Sequence, residues 1–308
     1  MRPLLPLLLA VLPSLTRAEP LRIVTDIAPV HSLISQIAGD AAEVELLVDG
    51  ASSAHHFQFT FRQAEALQTA DLIIWMGPAL TPWLDDALTS LAPEAAQLTL
   101  LEAPGWTPLT VQDRTAEADH ADDHDHSHDH AHNHEAGQID PHAWLDPQIA
   151  AHWVQHVQDA LVTADPDNAE RYAQNAETTR AKLEALDTRI AAQLAVLPDR
   201  AFVVPHDAFQ YFGARYDRPA AGVVTLVDDQ PPTPDRLAAL QNRVRSGSIA
   251  CVLTDIAASD RWTALLTEGT DVRTATVDPL GRTLDPGPDH YENTLTALAD
   301  AYSSCIGD

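Results

Sequence analysis

Residues 165–198, DPDNAERYAQNAETTRAKLEALDTRIAAQLAVLP, decide how the chain is organised. Tyr172, Ala176, Leu183, Leu186, Ile190, Leu194 and Leu197 recur mostly at three- and four-residue steps, with a gap at Thr179. That is the period of one helical face. Asp165 suits an N-cap, Pro166 the first turn, and Pro198 a stop. Glycine and proline are absent between 167 and 197, so the stretch reads as one rigid helix. About 32 residues rising 1.5 Å each span nearly 50 Å, enough to run along two domains.

Four short apolar runs precede this helix and four follow it. The first set is LRIVTD (21–26), EVELLV (43–48), DLIIWM (71–76) and QLTLL (97–101). The second is AFVV (201–204), AGVVTLV (221–227), IACVLTD (249–255) and DVRTATV (271–277). Near-continuous apolar runs of this length are strands buried on both faces, as in parallel sheets. Helical segments at 29–38, 60–69, 147–163 and 234–245 alternate with them. The expected fold is α/β: two (β/α)4-type lobes with parallel sheets, at 19–164 and 199–308, joined by the helix at 165–198.

Residues 1–18, MRPLLPLLLAVLPSLTRA, have the layout of a secretory signal peptide. Arg2 precedes an apolar stretch from Leu4 to Leu12, and small or polar residues lead to Ala18. The apolar stretch is too short to span a bilayer, and no later segment offers 18 unbroken apolar residues. No cysteine stands at the cleavage point to carry a lipid. The expectation is a periplasmic protein that is not membrane-anchored. Its two cysteines, Cys251 and Cys305, should then form a disulfide in that oxidising compartment.

Charge narrows the partners. The 308 residues include 45 acidic and 18 basic, for a formal −27. Such a field repels nucleic acid and anionic membranes and favours cations. Fifteen histidines are the compositional oddity. His120, His124, His126, His128, His130, His132 and His134 crowd a tract at about 113–139 that alternates with aspartate and has almost no apolar content. It cannot build a core and should be a disordered loop with weak, exchanging sites for Zn²⁺, Ni²⁺ or Cu²⁺.

Other histidines lie in ordered sequence. His55 in GASSAHHFQF, His142 in DPHAWLDP and His206 in VPHDAFQYF fall in loops beside strand ends, as does Asp278 in TVDPLG. Ligands of open α/β sheets gather outside the carboxyl ends of strands. Four donors from both halves would meet in the interdomain cleft as a closed site suited to Zn²⁺. His31 and His290 read as packing or outer-sphere residues. His152 and His156 have the spacing of a zincin helix, but Trp153 stands where that motif needs its glutamate. An exposed helix face is the expectation there.

These motifs, with IAPVHSLISQIAGD and ADLIIWMGPAL, resemble the zinc-binding solute receptors of ABC importers, the ZnuA-like group of the cluster A-I metal receptors. The resemblance runs from about residue 21 to the C-terminus. It places the first three ligands on His55, His142 and His206 and the fourth on Asp278, with His56 as the alternate for His55. A histidine at the third position is similar to zinc receptors rather than manganese receptors. The family pattern also covers the long helix, the His-rich loop and the Cys251–Cys305 pair. Asp140 and Asp207 are the expected outer partners that fix ring tautomers.

The resemblance implies a monomer that is no enzyme. It would capture one tightly held Zn²⁺ and deliver it to an inner-membrane ABC permease and its ATPase, with a metallochaperone as a further partner. The rival readings are a zinc hydrolase with three histidines and a bound water, a metal buffer or adhesin, and a manganese receptor on the same fold.

Overall fold

Strand β1 (Leu21–Thr25) lies between β2 (Ala42–Leu46) and β3 (Leu72–Trp75), and β4 (Ala96–Thr99) completes a parallel sheet in the order β2-β1-β3-β4. Ile23 pairs with Val44 on one side and Leu72 on the other. The second half repeats the plan. Strands β5 (Phe202–His206), β6 (Gly222–Thr225), β7 (Cys251–Asp255) and β8 (Arg273–Val277) form a parallel sheet ordered β6-β5-β7-β8. All eight strands coincide with the apolar runs of the sequence. The computed structural model describes residues 19–49, 53–111, 138–225, 231–256 and 260–307. Residues 1–18, expected to be a signal peptide, and the seven crowded histidines lie outside the described residues.

Each sheet carries helices on both faces. Helices α1 (Ala28–Ala38), α2 (Phe61–Gln68), α3 (Pro82–Leu91) and α4 (Pro147–Ala164) precede the long helix. After it come α6 (Gln210–Arg215), α7 (Pro234–Arg245), α8 (Asp260–Thr267) and α9 (His290–Ile306). Local chemistry sets several starts. Thr60 and Gln63 form a reciprocal capping box on α2. Asp146 and Thr233 accept bonds from Gln148 N and Arg236 N, each followed by proline in the first turn of α4 or α7.

The long helix, α5, runs Ala169–Ala195 after a 3-10 turn at Pro166–Asn168. Asp165 does not cap it. Its carboxylate accepts from Tyr172 Oη and Asn168 Nδ2, both at 2.7 Å, so the α-helix starts later than its sequence suggests. The gap at Thr179 is not a break in the buried face. Thr179 is 1% exposed, and its hydroxyl donates to the Asn175 carbonyl one turn back.

Alternation along the strands divides the core. Ile23, Ile74, Val204 and Leu253 belong to one large apolar cluster that crosses both sheets through Trp153, Tyr172, Leu183 and Leu298. Their neighbours Val24 and Ile73 face α3 residues Leu84 and Leu88 instead. Val203 and Val252 face Leu240 and Leu266 on the outer side of the second sheet. Successive strand residues point to opposite faces, which is why near-continuous apolar strands feed two layers at once.

The two sheets therefore share an inner layer made of α1, α4, α5 and α9. Polar bonds also join the halves. Trp144 Nε1 donates to the Pro279 carbonyl at 2.9 Å, Tyr291 Oη to the Trp144 carbonyl at 2.6 Å, and Ser32 Oγ to the Pro288 carbonyl at 2.9 Å. Cys251 and Cys305 are disulfide-bonded, tying the first residue of β7 to the last turn of α9.

Candidate metal centre

In each sheet the strand order reverses between the two central strands, β1 and β3 or β5 and β7. The crevice outside their carboxyl ends is where a ligand fits. His206 is the last residue of β5 and Asp255 the last of β7, so both stand at this crevice in the second sheet. His55 comes from the loop after β2. Trp83 Nε1 donates to the carbonyl of neighbouring Ala54 at 2.7 Å, and Trp83 packs on Phe57 and Phe59, which holds this loop down. His142 comes from the segment before α4. Asp140 folds that segment on itself by accepting both His142 N at 3.0 Å and His142 Nδ1 at 2.7 Å.

These three segments bring three buried imidazoles together. The ring centres of His55 and His142 are 5.7 Å apart, and those of His142 and His206 are 5.6 Å apart. A zinc–nitrogen bond of 2.0–2.1 Å and a tetrahedral angle would place two ring centres about 5.2 Å apart. The rings are thus within about half an ångström of that spacing. As they stand, no three His, Cys, Asp or Glu donors among the described residues already converge to hold an ion. His55, His142, His206, Asp255, Arg282 and Trp144 help line a cavity of about 20 Å³, room for a single ion or water. A larger dent of about 660 Å³ lies at the opposite, amino-terminal end of β7 and β8, around Ile249 and Val272, and has no histidine in its lining.

Outer contacts orient the rings. Asp140 has no solvent exposure, and its carboxylate fixes the proton of His142 on Nδ1, turning Nε2 into the available lone pair. Tyr211 Oη in turn donates to the Asp140 carbonyl at 3.1 Å. Burial pushes the Tyr211 hydroxyl above its ordinary range, so it remains a donor. Asp255 Oδ2 stands 3.8 Å from His206 Nδ1, while its Oδ1 pairs with Arg282 Nη1 at 3.3 Å. Both histidines thus have a carboxylate on the Nδ1 side.

The remaining expected residues fall as follows. Asp278 is outside the cavity lining. Its Oδ2 accepts from Thr283 N at 3.1 Å and Thr283 Oγ1 at 3.3 Å, while its Oδ1 is buried with no hydrogen-bond partner among the described residues. His56 is exposed and is not part of the lining of this cavity. Asp207 is buried, with Gln210 Nε2 donating to its Oδ2 at 3.1 Å. His31 is turned to the Val44 carbonyl, and burial lowers its pKa. His290 faces the Leu280 and Asp285 carbonyls at 2.8 and 3.2 Å and is 2% exposed. Asp255 and Arg282 were not anticipated. Asp255 carried the same signal as Asp278, an acid closing a buried strand. Arg282 carried none, because a cation in the wall of a cation site makes sense only beside Asp255.

The family model for the periplasmic zinc-uptake complex component A, ZnuA, matches residues 23–305. The high-affinity zinc uptake system protein ZnuA of Paracoccus denitrificans is 36% identical, over 94% of this chain and 93% of its own. Its counterpart in Brucella abortus is 33% identical, over 92% and 91%. A crystal structure of ZnuA superimposes with a TM-score of 0.77 at 22% identity, over 94% of this chain and all of that one, a likeness in fold. With the model spanning both sheets and such identity along nearly the whole length, the chain belongs to the ZnuA family of zinc-uptake components.

Proposed function

We propose that His55, His142 and His206 hold the zinc ion that this protein captures. The protein captures zinc in the periplasm for import, and its family consists of solute-binding receptors that work with an ABC importer. The observation that carries the site is the gathering of three imidazoles from three separate segments around one ion-sized cavity, with Asp140 setting the tautomer of His142. Neutral imidazole nitrogen suits Zn²⁺, and affinity falls as acid protonates the rings.

Asp278 is assigned the fourth position. Its buried Oδ1, unpartnered among the described residues, favours a cation, and it adjoins Pro279 in the cavity wall. Reaching the ion requires the turn at 278–283 to shift. Asp255 then acts behind His206 as Asp140 acts behind His142. The bonds between the halves and the shared inner layer oppose a wide hinge, so capture reorders loops. Release falls to the permease, which would disturb one of these loops.

Residues 1–18 are removed on export, and 19–164 and 199–308 act as lobes about the helix at 165–198. The protein works as a monomer with an inner-membrane permease and ATPase, and a metallochaperone is a candidate donor. The tract from His120 to His134 supplies weak, exchanging zinc sites. The test is growth of a deletion strain in zinc-depleted medium. The wild-type gene should restore growth and zinc uptake, and the His55→Ala/His142→Ala/His206→Ala variant, expressed equally, should not. Full rescue by that variant would overturn the site.

A further inference from the structure

Away from the cleft, His152 and His156 sit one turn apart on α4, and neither has the free surface position expected of it. Their Nε2 atoms are 3.3 Å apart, and both face the carbonyl oxygen of Pro104, at 2.6 Å from His152 and 3.1 Å from His156. The chain at 104–106 is pressed against the helix. Gly105 has φ +98°, and a Cβ there would lie 2.8 Å from His152 Nε2, so only glycine permits this approach. Trp106 packs edge-on against Trp153 with ring centres 6.0 Å apart, which fixes the segment on α4.

An ion 2.05 Å from two nitrogens spaced 3.3 Å apart sees them at about 107°, close to the tetrahedral angle. We infer that His152 and His156 form a second metal site, with Nε2 of each ring as ligands and the Pro104 carbonyl as the third donor. Each ring then carries its one proton on Nδ1, and water completes the shell. Two imidazoles and a carbonyl take a borderline divalent ion, Zn²⁺ included, more readily than Mg²⁺ or Ca²⁺. With two imidazoles and partial exposure, the site binds more weakly than the three-histidine cleft and exchanges with solvent. It does not depend on the cleft assignment.

The test uses the chain from residue 19 to 308 with excess Zn²⁺. Zinc-edge anomalous diffraction should show a peak 2.0–2.2 Å from Nε2 of both His152 and His156, lost in His152→Ala and in His156→Ala. In solution at fixed buffered free zinc, the double variant should bind one equivalent less than the parent, with the tightest site unchanged. That unchanged site also reports that the variant is folded. No peak between the two rings, or equal stoichiometry in parent and double variant, would overturn the site. A peak held by only one of the two histidines would also overturn it.

Discussion

Asp140 accepts the Nδ1 proton of His142 at 2.7 Å from a carboxylate fully shielded from solvent. That pairing fixes which nitrogen faces the cavity and raises its basicity. Asp140→Ala should therefore weaken zinc binding by about 10–100-fold. Asp140→Asn, which keeps an acceptor oxygen, should recover part of the loss. Competition against a chelator of known affinity measures both, and equal affinity for all three proteins would remove Asp140 from the site.

Asp278 has one oxygen on Thr283 and one buried without a partner among the described residues. Asp278→Asn should weaken zinc by at least about tenfold, because it removes a ligand charge. Thr283→Val should leave affinity equal or tighter, since it removes one of the two bonds that hold the carboxylate on Thr283. Unchanged affinity in Asp278→Asn would hand the fourth position to water or Asp255.

Burial raises the pKa of Asp26 to about 6, although Met76 N, Ile27 N and the Thr81 hydroxyl all donate to it. A carboxyl that is harder to ionise in the folded state opposes folding once it is charged. Its cost is absent below about pH 4 and grows to roughly 3 kcal/mol above pH 6. The stability of the parent minus that of Asp26→Asn should therefore fall as pH rises from 4 to 7. Urea titrations at several pH values test the sign; a flat or rising difference contradicts it.

The strand plan was legible because parallel strands buried on both faces leave unbroken apolar runs, as LIIW (72–75) and FVV (202–204) do. Position alone marks only His206, the last residue of β5; His55 and His142 lie in loops where a lone histidine reads the same whether it packs or binds, and the family resemblance singled them out. Asp165 misled because a capping side chain reads the same whether it caps or bonds Tyr172. Thr179 misled because its hydroxyl is satisfied within its own helix, which lets a polar residue join the apolar face. In the sequence Asp255 is simply the acid that closes the run IACVLTD. Only the fold, by setting β5 and β7 side by side, puts it next to His206.

The disulfide closes 54 residues between β7 and α9. Cys251→Ser/Cys305→Ser should lose about 4 kcal/mol of stability if the chain-entropy account applies. Denaturant midpoints of the oxidised parent and the double variant give the value, and a loss below about 1 kcal/mol would mean that packing alone holds the tail.

Zinc titration of residues 19–308 against graded chelators, parent beside the His55→Ala/His142→Ala/His206→Ala variant, bears most directly on the cleft. The parent should show one tight equivalent above a set of weaker ones, and the variant should keep only the weaker set. A tight equivalent that survives in the folded variant would place the captured ion elsewhere and contradict the account.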